Sequence, residues 1–156
     1  MKRLTITLGA LLFLASPVHA QTADEKGVLA ANDALEKALS SKDIGAMEKV
    51  WAHEPYVVAI HPFNKTPDIG WNNVRKSWED NFNRNSEFSL TMTDTHVHVN
   101  GNTAIVVGVE HVQAKRKSGE EAKFDTSATN IFEKHGSQWL AILHQATVAP
   151  GALGPR

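Results

Sequence analysis

The sequence predicts an α+β domain, with three amphipathic helices packed on a curved, mostly antiparallel sheet. Three observations carry this reading. In the first half of the chain, apolar residues recur at helical spacing in three stretches, the last ending near Phe82. From Phe88 onward they form four extended runs rich in Val, Ile and Thr. Turn sequences separate those runs: Asn100-Gly101-Asn102, Lys117-Ser118-Gly119 and His135-Gly136-Ser137.

Each element has a local reason. Thr22-Ala23-Asp24-Glu25 reads as a capping box, and Val28, Ala31, Leu35, Ala38 and Leu39 follow on one face. A first helix is expected over about 23–40. Ser40 to Asp43 breaks it, and Asp43 can cap a short second helix through Met47, Val50 and Trp51. An apolar run between Pro55 and Pro62 reads as a strand over roughly 55–60, and Phe63 to Gly70 as a loop. The third helix, 70–82, carries Trp71, Val74, Trp78 and Phe82 on one stripe. The strands are expected at Phe88–Val99, Thr103–Ala114, Ala122–Phe132 and Trp139–Val148, as a meander.

The ends read differently. Lys2 and Arg3 precede a mostly apolar run from Leu4 to Ala15, and Val18 and Ala20 supply small residues before a cleavage point. Residues 1–20 therefore read as a secretory signal peptide, its apolar run too short to span a bilayer. The expectation is a domain over 21–149, soluble and free of the membrane after cleavage, in the periplasm or secreted. The 150–156 tail, rich in Pro and Gly, is expected to fray.

Composition excludes several classes. Of 156 residues none is cysteine, so neither a disulfide framework nor a lipidated N-terminal cysteine is available. Without the leader, 14 basic residues stand against 17 acidic ones, which leaves no basic face for nucleic acid. The Lys115–Lys117 run reads as a solvated strand end. No nucleophile elbow, phosphate loop, zinc-protease helix or dinucleotide fingerprint occurs, and no cofactor is expected. Asn64-Lys65-Thr66 matches a glycosylation sequon, relevant only in a host that glycosylates exported proteins.

The element order, with the stretches VWAHEPYVVAIHP, GWNNVRKSWEDNF, VHVNGNTAIVVGVEHV and TNIFEKHGSQWLAILHQAT, resembles the nuclear transport factor 2-like superfamily, which includes ketosteroid isomerase. More closely it resembles the SnoaL-like, DUF4440-type branch. The resemblance implies an NTF2-like cone, with a pocket at the open end. Relatives use that pocket for isomerase- or cyclase-like proton transfer on carbonyl compounds; others only bind ligands or only dimerise. The branch often has a second His where Leu143 stands here.

Candidate residues follow. His144, Gln145 and Thr147 are polar in the last apolar strand, and strict alternation groups His144 with Leu140, Ile142 and Ala146. His144 is the candidate acid–base group of a cone pocket, or a structural hydrogen-bonder. Trp71, Trp78 and Phe82 line a pocket for a flat apolar ligand, or simply pack the core. Tyr56, the single tyrosine, and His61 flank the first strand and complete the candidate ligand set. His96 and His98 share a strand face, but the register puts His111 opposite Met92, so no metal site is expected. Asp94 shares a face with Met92 and both histidines; it and Asp125 read as edge or interface carboxylates, and Glu110 is set aside.

The strand Thr103–Ala114 is apolar on both faces, with Ala104, Val106 and Val112 on one and Ile105, Val107 and Val109 on the other. Helices cover only one face, so a homodimer through the sheet is expected. Two functions remain open: a small-molecule site with possible acid–base chemistry, or a non-catalytic dimerisation or protein-interaction module.

Overall fold

The structure, a computed structural model, describes residues 22–149, so the expected signal peptide at 1–20 and the expected tail at 150–156 lie outside the described residues. The order is α1 (Ala23–Ser41), α2 (Ile44–Val50), β1 (Val58–Ile60), β2 (Asp68–Ile69), α3 (Trp71–Arg84), β3 (Asn85–Asn100), β4 (Thr103–Arg116), β5 (Glu121–His135) and β6 (Gln138–Val148). The expected capping box forms at the start of α1, with Glu25 N–H donating to Thr22 Oγ1 and Thr22 N–H to Glu25 Oε2. Asp43 caps α2 by accepting from the Gly45 and Ala46 N–H groups.

Helices pack on one face of a curved, mixed six-stranded sheet of order β2-β1-β6-β5-β4-β3. The long meander β3 to β6 is antiparallel, and β1 alone runs parallel to its neighbour β6. Val28, Leu35, Leu39, Met47, Trp51, Val74, Trp78 and Phe132 are buried between the layers. Burying each large apolar side chain contributes on the order of 2 kcal/mol.

Two expectations change at this level. The first strand is only three residues long, because Pro55 and Tyr56 lie in a turn and Val57 N–H bonds back to Glu54 O. The loop after it contains β2, which pairs with β1.

Alternation is also interrupted twice. In β3 the register shifts between Thr93 and His96, and Asp94 takes a left-handed φ of 50°. Phe88, Leu90 and Met92 face the helices before the bulge, whereas Val97 and Val99 do so after it. His96 and His98 therefore sit on the outer side, away from Met92, and His111 pairs with Thr91 rather than Met92. In β6 the shift falls at Ile142, so Trp139 and Ala141 share the inner face with His144 and Ala146. Gln145 and Thr147 are exposed on the other face.

Candidate functional site

Between α3, β4, β5 and β6 lies a cavity of about 460 Å³. Its apolar walls include Trp78, Phe88, Leu90, Val112 and Phe124. Its buried interior carries Glu110 and His144, each 2% exposed. Arg84, Arg116 and Glu120 stand at the rim, all exposed. The volume suits a drug-sized molecule.

Glu110 reaches this interior because it follows Ala104 and Val106 on the inner face of β4. Thr126 on the neighbouring strand donates its hydroxyl to Glu110 Oε2 at 3.0 Å, and no other side-chain hydrogen bond reaches this carboxyl among the described residues. Burial, only partly offset by that hydrogen bond, pushes its pKa up to about 7. His144 Nδ1 lies 3.8 Å from Glu110 Oε1. Burial lowers the His144 pKa to about 4, so the imidazole is neutral at pH 7.

A row of buried amides decides which ring nitrogen carries the proton. Asn32 Nδ2 donates to Glu36 Oε1 at 2.7 Å, and Asn130 Nδ2 donates to Asn32 Oδ1 at 2.8 Å. Asn130 Oδ1 is then left as the acceptor facing His144 Nδ1 at 2.9 Å. Nδ1 therefore carries the hydrogen and Nε2 keeps its lone pair. The row is anchored on Glu36, which also accepts from Met92 N–H.

His61 completes the group. Ser77 donates its hydroxyl to Val74 O, so it accepts from His61 Nε2 at 3.0 Å. Burial first, and then His144, lower the His61 pKa to about 4. The His61 ring meets Trp78 edge-on at 4.2 Å between centroids, and Trp78 lies 5.5 Å from His144. The Trp78 indole N–H is buried without a partner among the described residues.

Of the residues singled out from sequence, His61, Trp78 and His144 line this cavity. Phe82 packs in the core beside Trp78, 6.1 Å between centroids. Trp71 stacks on His53 outside the cavity, and Tyr56 is half exposed with its hydroxyl donating to Glu133 Oε2. The residues missed were Glu110, Asn130, Thr126 and Asn32. Glu110 and Asn130 left a trace: each stands at an inward position of an otherwise apolar or small-residue row. On the outer face, His111 bridges Thr93 Oγ1 at 2.9 Å and Asp125 Oδ1 at 2.8 Å, and no group of three His, Asp or Glu among the described residues is arranged to hold a metal ion.

This geometry defines a class: a nuclear transport factor 2-like cone with a titratable interior. Residues 28–149 match the SnoaL-like domain, and the chain belongs to that family. No curated protein matches it. Among solved structures, a proposed dehydratase of the NTF2-like family from Streptomyces avermitilis is 24% identical with a TM-score of 0.73, covering 81% of this chain and 97% of its own. A proposed calcium/calmodulin-dependent protein kinase type II association domain from Thiobacillus denitrificans is 26% identical with a TM-score of 0.67, over 78% and 94%. The CaMKII hub of S. rosetta is 25% identical with a TM-score of 0.66, over 88% and 100%.

Proposed function

We propose that the cavity binds a small apolar or aromatic carbonyl compound, that Glu110 moves a proton on it and that His144 orients it. The observation that carries this is the pairing of a buried carboxyl, poised near neutrality, with a neutral imidazole whose Nε2 has no hydrogen-bond partner among the described residues. A general base works best when its pKa lies near the working pH, and Glu110 fits that requirement better than His144. Ionised Glu110 takes a proton from the carbon next to the carbonyl, and the electron pair moves onto the carbonyl oxygen. Returning the proton to another carbon completes an isomerisation; attack of the same carbanion on a second carbonyl within the molecule gives a cyclisation. Nε2 of His144 accepts a hydrogen bond from a substrate hydroxyl and orients the ring system.

The protein in this reading is exported, through residues 1–20, and dimeric through its sheet. The test is exchange of the α-protons of aromatic ketones in heavy water, followed by NMR. The intact protein is expected to accelerate exchange above buffer, and Glu110→Gln to lower that rate by about 10²-fold or more. A panel of ketones that exchange no faster than in buffer removes the catalytic reading.

A second reading is favoured by a separate observation. Ile105 and Val107 are 40% and 38% exposed on the sheet face that no helix covers among the described residues. Two similar structures are described as an association domain and a hub. On that reading the sheet face holds a second protein chain and the cavity is secondary.

A further inference from the structure

The cavity is not uniformly apolar, and its charges are not spread evenly. The titratable groups lining it are His61, Glu110 and His144 inside, and Arg84, Arg116 and Glu120 at the rim. The rim charges come from one place in the fold. Arg84 ends α3, and its carbonyl accepts from Lys117 N–H at 3.0 Å. Asn85, the next residue, pairs with Arg116 across the β3–β4 ladder. The two guanidinium-bearing residues therefore enter the cavity wall from neighbouring backbone positions.

Their partners differ. Arg116 lies 3.4 Å from Glu120, so that pair is balanced. Arg84 makes no ion pair and no side-chain hydrogen bond among the described residues. Lys42, which approaches the same strand end, spends its ammonium on the carbonyls of Asn85 and Ser86. The rim thus keeps one uncompensated cation, Arg84, in a cavity whose only buried acid is Glu110. Inside, two neutral imidazoles and a carboxyl offer acceptors, which repel an anion from the deep end. An anionic group entering this cavity has one favourable place, at the rim.

We propose that the substrate of this cavity is an amphipathic monoanion: an aromatic or alicyclic body along Trp78, Phe88, Val112 and Phe124, with a carboxylate held by Arg84. The carboxylate orients the molecule so that its opposite, carbonyl-bearing end meets Glu110 and His144. Arg84 is a specificity residue in this arrangement, and it is remote from the reacting atoms. The inference rests on the cavity being the binding site.

The experiment compares two ligands of the same shape, 2-naphthoate and methyl 2-naphthoate, by titration calorimetry or ligand-observed NMR on the purified protein. The carboxylate is expected to bind about tenfold more tightly than the ester, as a charge-assisted contact at a half-wet rim allows. Raising the ionic strength from about 0.02 to about 0.5 M is expected to narrow the difference. Arg84→Gln is expected to bring the two affinities together while leaving that of the ester unchanged. Its side chain is exposed, so the fold is retained. Equal binding of the two ligands by the unaltered protein, or a preference that survives Arg84→Gln, overturns the anion site and leaves the cavity reading standing. Binding of neither ligand at millimolar concentration overturns both.

Discussion

Glu110 is the residue at which the site and the stability of the fold meet. Its pKa is raised from the ordinary 4.5 to about 7 because burial disfavours the charged form. Below about pH 4.5 the carboxyl is protonated in folded and unfolded chains alike, and burial of its charge costs nothing. Between about 4.5 and 7 the unfolded chain ionises while the folded one does not, so this group lowers stability as pH rises. Above 7 the cost is complete, at about 3 kcal/mol. His61 and His144 act in the opposite window: their pKa values are lowered to about 4, so acidification from about 6.5 downward destabilises the fold. Glu110→Gln removes only the first effect. Thermal melts are expected to show the variant more stable than the parent by about 5 °C or more at pH 8, with a much smaller gain at pH 5. An equal gain at both pH values would show that Glu110 is not held protonated in the fold. His144 was legible in the sequence as a polar residue in an apolar strand. Glu110 stands on the inner row with Ala104 and Val106, a position that marks it as buried, but a reading confined to Asp94 and Asp125 sets it aside. Asn32 was legible only with the structure, since its partner Asn130 is 98 positions away.

At the scale of elements, the bulge in β3 decides which residues beyond it the inner face of the sheet receives. Asp94 and Thr95 together stand opposite the single Gly108, between the Thr93↔Val109 and His96↔Val107 pairs, so β3 gains one extra residue. A Cβ at Gly108 would stand 2.7 Å from Thr93 O and 2.8 Å from Met92 Cγ. Space, rather than φ, requires glycine there, because the bulged strand presses against β4 and a carbonyl cannot give way as a flexible side chain can. Gly108→Ala is expected to cost about 2 kcal/mol, read as a lower urea midpoint with an unchanged slope. No loss would mean that the bulge shifts freely. The same bulge explains where sequence periodicity stopped being a guide. Helices α1, α2 and α3 and the four long strands follow from capping, spacing and turn residues, and their ends fall within three residues or so of expectation. Facing did not, because one extra residue in β3 and one in β6 reverse every side chain beyond it. That reversal put His96 and His98 on the outer side and Trp139 on the inner.

For the whole molecule, the two faces of the sheet set the two functional readings apart in space. The inner face carries the cavity, while the outer face carries Ile105 and Val107 among polar neighbours such as His96, Thr129, Gln145 and Thr147, which line a shallow outer depression with Val107. A mixed face of this kind is what a non-obligate interface looks like: apolar at the centre and hydrogen-bonding at its edge. The expected outcome is a dimer in sedimentation velocity, converted to a monomer by Ile105→Lys with Val107→Lys, since two lysines at the centre of a symmetric contact meet their own copies. Both positions are exposed, so far-UV circular dichroism is expected to be unchanged. The double variant also separates the readings. If the cavity acts within one chain, the monomer binds 2-naphthoate as well as the dimer does, because the outer face lies across the sheet from Glu110 and His144. If ligand affinity falls with dissociation, the second chain shapes the cavity through the sheet. If the parent protein sediments as a monomer, the outer face is no interface between copies, and the proton-transfer reading stands without it.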